Sequence, residues 1–363
     1  MPTFLRARYV LGFLGALALL VAGCDTGFQQ DDSNRPELNC QIPESQIIDG
    51  GVGRDGIPAL TDPSLTDPSS AGYLADSSRV IGLVVDGEPV AVPHNILWWH
   101  EIINFNFDSI QLAVTYCPLT GSSLAFDRAA IDGGEFGVSG LLFQNNLTMF
   151  DRTNQESLWP QMNQQADCGP RLGAQLTMVP VVEMRWDGWR ALHPDTRVVS
   201  NNTGFNRDYT PSGYPYGNYE RIDNDRLLFD MPIDERRPPK ERVLGIPASG
   251  SASIAFPFGA LDAEGPKRVV EETVDGDPVV VFWSRARRGA MAFRPVVNGQ
   301  PAIFEVRDGR IVDTATESTW TVGGEAIDGP LTGTRLTPIR EAYVAFWFAW
   351  AAFEEDTRLW EGS

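Results

Sequence analysis

Arg79-Val80-Ile81-Gly82-Leu83 returns as Arg242-Val243-Leu244-Gly245-Ile246, and the rest of the chain follows the same order twice. After each motif comes a strand-like run with a proline (Pro93, Pro257) and then a leucine (Leu97, Leu261). Asp151 to Trp159 (DRTNQESLW) returns as Asp313 to Trp320 (DTATESTW). Each tryptophan is followed by Gly169-Pro170-Arg171-Leu172-Gly173 or Gly329-Pro330-Leu331-Thr332-Gly333, then Leu176-Thr177 or Leu336-Thr337. Ordered matches at offsets of about 160 to 164 residues read as a tandem duplication, roughly 79 to 200 and 242 to 360. The expected plan is a first repeat over 45–200, a connector over 201–241 and a second repeat over 242–363. Copies of this kind pack about a pseudo-two-fold axis and leave a cleft between them.

Each copy is built of short apolar runs punctuated by Gly and Pro: Val80 to Val85, Ile110 to Tyr116, Leu124 to Phe126, Val279 to Trp283 and Ala302 to Val306. That spacing predicts a mainly β protein, β-rich α+β, with few short helices. Ala342 to Phe353 (AYVAFWFAWAAF) falls short of the roughly 18 to 20 apolar residues a membrane span needs. It is expected to be a buried strand or helix of the core. The connector stretch from Arg207 to Tyr219 is rich in Tyr, Gly and Pro, so it is expected to be an ordered loop, either a lid or an Ω-like surface loop.

The chain has 363 residues, 42% hydrophobic, with 48 acidic against 29 basic side chains and a formal charge of -19. A basic surface of the kind that neutralises phosphates is excluded, and with it a nucleic-acid partner. The basic residues are almost all Arg, Lys240 and Lys267 being the lysines.

Residues 1–23 combine a basic start (Arg6, Arg8) with an apolar run from Val10 to Val21, ending in Val21-Ala22-Gly23-Cys24. A short apolar stretch closed by small residues reads as a secretory signal, and a cysteine directly after them resembles a lipobox. Cys24 is then the lipidated residue, 24–44 carry a polar tether, and the protein is held to a membrane of the cell envelope, facing the periplasm or exterior. Loss of 1–23 takes the formal charge from -19 to -21, so attachment rests on the acyl chains.

The copies differ where chemistry would sit. Thr115-Tyr116-Cys117 aligns with Val281-Phe282-Trp283, and the segment holding His94 and His100 has no histidine in the second copy. The first copy is therefore the candidate active half. His100 shares a helical face with Ile96 and Ile103 and should point inward. Cys117-Pro118-Leu119-Thr120 has the spacing of a CxxC redox turn, with Thr120 in place of the second cysteine.

A turn thiol beside N–H donors or a histidine can react as thiolate, so Cys117 is the candidate catalytic residue, with His100 tuning it or relaying a proton. A buried apolar thiol and a disulfide partner stay open beside that reading. With Cys24 lipidated, Cys40, Cys117 and Cys168 remain, and one of the three must be unpaired; Cys168 is a distant candidate partner for Cys117. Cys117 with His100 and either His94 or Glu101 would suit copper or zinc. His193, before Pro194, reads equally as a structural histidine. A third reading is a non-catalytic module binding a small molecule or an envelope protein in the cleft or at the tyrosine-rich loop. Gly137-Val138-Ser139-Gly140 is not a nucleophile elbow, which disfavours a serine hydrolase.

Several segments are similar to one family. They are Asp49-Gly50-Gly51 with Arg54 to Leu60 (RDGIPAL), Ile96-Leu97 with Trp99-His100-Glu101-Ile102, Val114 to Leu119 (VTYCPL), Phe136 to Leu141 (FGVSGL) and Pro238 to Val243 (PPKERV). Together, over about residues 45 to 355, they resemble the family called domain of unknown function 3179. The resemblance implies a secreted or lipid-anchored prokaryotic protein without an established reaction, and names no cofactor. It also implies that many members carry a second Cys, and some a selenocysteine, in the Cys-Pro-Leu turn. Thr120 takes that place here, so a local disulfide cycle is excluded and Cys117 would act alone or with Cys168.

Overall fold

The computed structural model describes residues 39–362 except Glu264. The expected signal peptide, Cys24 and the tether up to Leu38 lie outside the described residues. From Asn39 onward the chain is a compact unit.

Among the described residues it is mainly β, with four short α-helices among several sheets: α1 (His94–His100), α2 (Trp186–Leu192), α3 (Phe258–Ala263) and α4 (Trp347–Phe353). No helix among the described residues is long and apolar enough to cross a membrane. The aromatic stretch near the C-terminus forms the strand Tyr343–Phe346 and then α4, both buried except at the far end of α4.

The repeated motifs begin the same local arrangement. Arg79–Val85 pairs antiparallel with Glu88–Pro93, Val80 opposite Pro93, and Arg242–Ile246 pairs with Ile254–Pro257, Val243 opposite Pro257. A short helix follows each hairpin, α1 or α3, and then a three-stranded meander: Ile102–Asn106, Gln111–Cys117 and Ser122–Asp127, or Lys267–Val274, Asp277–Ser284 and Gly289–Phe293. Later a strand returns to the first one, Val182 opposite Gly82 and Tyr343 opposite Gly245. A second helix, α2 or α4, leads to a strand parallel to the hairpin's second arm.

The matched residues have matched work. A Cβ on Gly82 would overlap the ring of Trp189, and one on Gly245 the ring of Trp350, so glycine is what lets α2 and α4 lie on their strands. Each of those indoles donates from Nε1 to a threonine hydroxyl at 2.8 Å, Thr196 or Thr357. Asp151 accepts from the Trp159 indole at 2.9 Å and Asp313 from the Trp320 indole at 3.1 Å. Ser157 and Ser318 then accept the backbone N–H of Arg171 and Leu331, which seats each Gly-Pro turn.

The two segments exchange elements. The return strand Tyr343–Phe346 pairs with the first segment's meander at Ser123, and Phe346 N–H donates to the Thr120 carbonyl at 2.8 Å. Reciprocally, Arg185 N–H, at the end of the first return strand, donates to the Arg287 carbonyl of the second meander at 2.8 Å. Hydrophobic clusters mix both segments accordingly: Val80, Ile96 and Trp189 share one with Phe282 and Trp320. Cys117 and Trp159 share another with Phe346 and Trp350.

Cys40 and Cys168 form a disulfide. Gln41 N–H donates to the Asp167 carbonyl at 2.9 Å, so the chain just after Asn39 is fastened to the body of the fold.

Candidate functional site

The reciprocal junctions fix how the copies compare at the site. Thr120 and Arg287 hold equivalent places, and Gly121 (φ +60°) and Arg288 (φ +48°) take the left-handed turn that follows each. The last rungs of the two hairpins are Cys117 opposite Ser122 and Ser284 opposite Gly289. Cys117 thus matches Ser284, and Tyr116 matches Trp283, one residue away from the sequence alignment. The ring contacts agree: His94 lies 4.0 Å from Tyr116 between centroids, and Phe258 lies 4.7 Å from Trp283. A polar pair in the first copy replaces an apolar pair in the second.

Cys117 ends its strand because Pro118 cannot continue the ladder. Its thiol is 1 % exposed. It donates to the Asn145 carbonyl at 3.7 Å and accepts from Leu147 N–H at 3.3 Å. Burial, and then the nearby Glu101 carboxyl, push the thiol up to about 11, against weaker opposition from Thr120 and Leu147 donors. In this arrangement the sulfur is buried and held protonated. Cys168 is no partner for it, being bonded to Cys40. Thr120 does lie beside Cys117, with its hydroxyl also paired to Ser122 at 2.8 Å and to the Asn146 amide at 3.0 Å.

His100 sits elsewhere in the hydrogen-bond network. Its Nδ1 faces the Pro58 carbonyl at 2.7 Å and must donate there, so Nε2 accepts from the Tyr209 hydroxyl, also at 2.7 Å. Both ring nitrogens are engaged away from the Cys117 sulfur, and burial lowers the pKa of the ring. His94 lies against the fully buried Glu183, 3.6 Å away, and burial pushes it down to about 4. Among the described residues no group of three or more His, Cys, Asp or Glu could hold a metal ion, so the copper or zinc expectation for His94, His100 and Cys117 gains no support. His193 packs 4.1 Å from the Trp189 ring.

What surrounds Cys117 was less visible in the sequence. The connector crosses α1 and the Cys-Pro-Leu-Thr turn as a strap. The Asn95 amide donates to the Tyr209 carbonyl at 2.9 Å, the Trp98 ring meets Tyr214 at 4.9 Å, and Tyr214 meets Tyr216 at 5.6 Å. Tyr216 is close enough to Glu101 and Cys117 to couple with both electrostatically. Tyr219 donates to the Leu119 carbonyl at 3.0 Å, and Asn145 exchanges two hydrogen bonds with Phe229. Lys240 clasps the far side, its Nζ 3.5 Å from the Tyr219 ring centroid and 2.7 Å from the Arg226 carbonyl.

Under this strap the polar groups are incompletely paired. Asn95 Oδ1, Trp98 Nε1 and Tyr116 Oη are buried without a hydrogen-bond partner among the described residues. Glu101 is 6 % exposed, its carboxyl bonds to no described residue, and burial pushes it up to about 8. Its backbone stands at φ +57°, ψ -34°, a costly conformation for a residue with a Cβ. That conformation is held from both sides: Glu101 N–H donates to the Leu97 carbonyl and its own carbonyl accepts from Tyr116 N–H, each at 2.8 Å. In the second copy, the chain between α3 and the strand Lys267–Val274 takes its left-handed turn at Gly265 (φ +136°).

A charged cluster adjoins Tyr116. Glu183 accepts from Arg79 at 2.8 Å, Arg242 at 3.0 Å and Ser123 at 2.8 Å, and Arg242 also bonds Glu220 of the strap at 3.1 Å. Burial opposes ionisation of Glu183, yet Arg242, His94 and Arg79 together hold its carboxyl down at about 2. Its partners lie far away in sequence, and only the recurrence of Arg79 as Arg242 hinted at it.

No curated protein and no solved structure matches the chain. A family model described as "Protein of unknown function (DUF3179)" matches residues 54–357, most of the sequence, and the protein belongs to that family.

Proposed function

We propose that this protein is an envelope lipoprotein whose folded part is a binding module, taking a small polar ligand in the seam between α1 and the connector strap. The observation that carries this reading is the set of buried polar atoms with no partner among the described residues, Asn95 Oδ1, Trp98 Nε1 and Tyr116 Oη, together with the unbonded Glu101 carboxyl, which couples to Tyr216 of the strap. Buried polar groups are nearly always satisfied, so several together mark a place where water or a ligand completes them. The strained Glu101 backbone adds weight, because such strain gathers at functional sites. The recurring pairings support a duplicated origin with pseudo-two-fold related copies, of which the first has kept the polar site. The lipobox-like Val21-Ala22-Gly23-Cys24 supports membrane attachment through Cys24, and a disulfide suits an extracytoplasmic compartment.

The test is thermal unfolding of the purified chain against ammonium compounds, carboxylates and sugars. A ligand that binds only the folded state raises the melting temperature saturably. Stabilisation by one class, lost in Trp98→Leu and Tyr116→Phe, supports the seam. No stabilisation by any class, or stabilisation untouched by both variants, contradicts it.

Thiol-based redox chemistry at Cys117, assisted by His100, is the second reading, favoured by the Thr120 hydroxyl and the Leu147 N–H that donate to the sulfur. It requires the strap to open, and alkylation of native Cys117 tests it.

A further inference from the structure

Resting on the seam reading, we propose that the ligand is a small organic ammonium cation, seated against the rings of Trp98, Tyr214 and Tyr216 with its charge on the Glu101 carboxylate. The rings meet at an angle, Trp98 and Tyr214 at 68° and Tyr214 and Tyr216 at 49°, rather than stacked flat on one another. Electron-rich faces of Trp and Tyr attract ammonium groups, most strongly where water is excluded.

Charge accounting selects a cation. Arg79 and Arg242 are balanced by Glu183 and Glu220, and His94 is neutral. Among the described residues Glu101 has no cationic partner, so once ionised its carboxylate is a counter-charge that an incoming cation can use. The whole chain, at a formal -19, steers the same way. The strap already holds one ammonium group in this manner, Lys240 on the Tyr219 ring with the Tyr219 and Arg226 carbonyls as acceptors.

Binding is linked to protons. The empty Glu101 carboxyl, pushed up to about 8, holds a proton at neutral pH and must release it to face a cation. The other titratable groups facing it, the Cys117 thiol and the Tyr216 phenol, are both raised by burial and stay neutral. The neighbouring strand and strap contribute the Arg242–Glu220 ion pair, 3.1 Å apart.

The experiment is titration calorimetry of the purified chain with choline, with its uncharged tert-butyl analogue and with acetate, in buffers of differing ionisation enthalpy. The expected result is saturable choline binding that releases close to one proton at neutral pH. Affinity should rise about tenfold per pH unit toward the Glu101 pKa, where proton release ceases to limit it. The uncharged analogue should bind at least about tenfold more weakly. Glu101→Gln should abolish the proton release, and Tyr214→Leu should weaken choline while keeping it. Equal binding of the uncharged analogue, or unchanged proton release in Glu101→Gln, overturns the proposal, as does absence of choline binding. Binding of the analogue or acetate in its place would refute the cation while leaving the seam as the site; failure of every probe counts against both.

Discussion

Arg79 and Arg242 occupy the same position in the two copies of the repeated motif, and both donate to one carboxylate oxygen of Glu183, at 2.8 and 3.0 Å. The residue matching Glu183 in the second return strand is Val344, so equivalent arginines are shared by a single acid where the copies meet. Removing that acid leaves two buried guanidinium groups short of a counter-charge. Glu183→Ala should therefore destabilise the fold by about 3–5 kcal/mol, measured by denaturant unfolding.

The same cluster sets an acid limit. The Glu183 carboxyl is held at about 2, below its ordinary 4.5, so its contribution is complete above about 4.5 and lost as pH falls through 2. His94 is held at about 4, below its ordinary 6.5, so the fold also loses stability as pH falls from 6.5 to 4. Unfolding free energy should decline on acidification across both windows. The His94→Phe variant, which copies Phe258 of the second half, should flatten the upper window in a pH series of denaturation curves.

Gly82→Ala and Gly245→Ala should each cost about 1–3 kcal/mol, because the new methyl overlaps the Trp189 or Trp350 ring. Thermal unfolding of both variants checks this, and matched losses would support equivalent roles in the two copies.

Cys168→Ala should lower stability by about 2–5 kcal/mol, since the Cys40–Cys168 disulfide has a sequence separation of 128 residues. Native Cys117 should stay unreactive to iodoacetamide until the strap opens, and Tyr219→Ala, which removes the hydrogen bond to Leu119, should speed its alkylation. Rapid modification of the wild-type thiol with an apparent pKa below the ordinary ~8.5 would contradict the sealed geometry.

The recurring motifs of the sequence coincide with recurring local pairings, because their residues do local work that leaves a pattern. A glycine under a tryptophan, or an aspartate caught by an indole seven or eight residues on, needs the same letters in the same order in both segments. The candidate site was legible only in part. Cys117 and Thr120 stood out by their spacing and do lie together, but burial of the sulfur depends on Asn145, Leu147 and the strap, none of which the turn motif implies. His100 was read correctly as pointing inward, and its engagement by Pro58 and Tyr209 depends on segments far off in sequence. Glu101 looked like one more ligand beside a histidine; its importance lies in a backbone angle that sequence does not express. The one-residue shift between Cys117 and Trp283 arose because VTYC and VVFW align well by hydrophobicity, whereas hairpin register matches Tyr116 to Trp283.

The seam under the strap is tested most directly by a crystal structure of the folded chain at a resolution that shows ordered solvent and small molecules. Density bonded to Trp98 Nε1, Tyr116 Oη and the Glu101 carboxyl is the expected result. A dry seam, with those three groups paired to protein atoms, would contradict it.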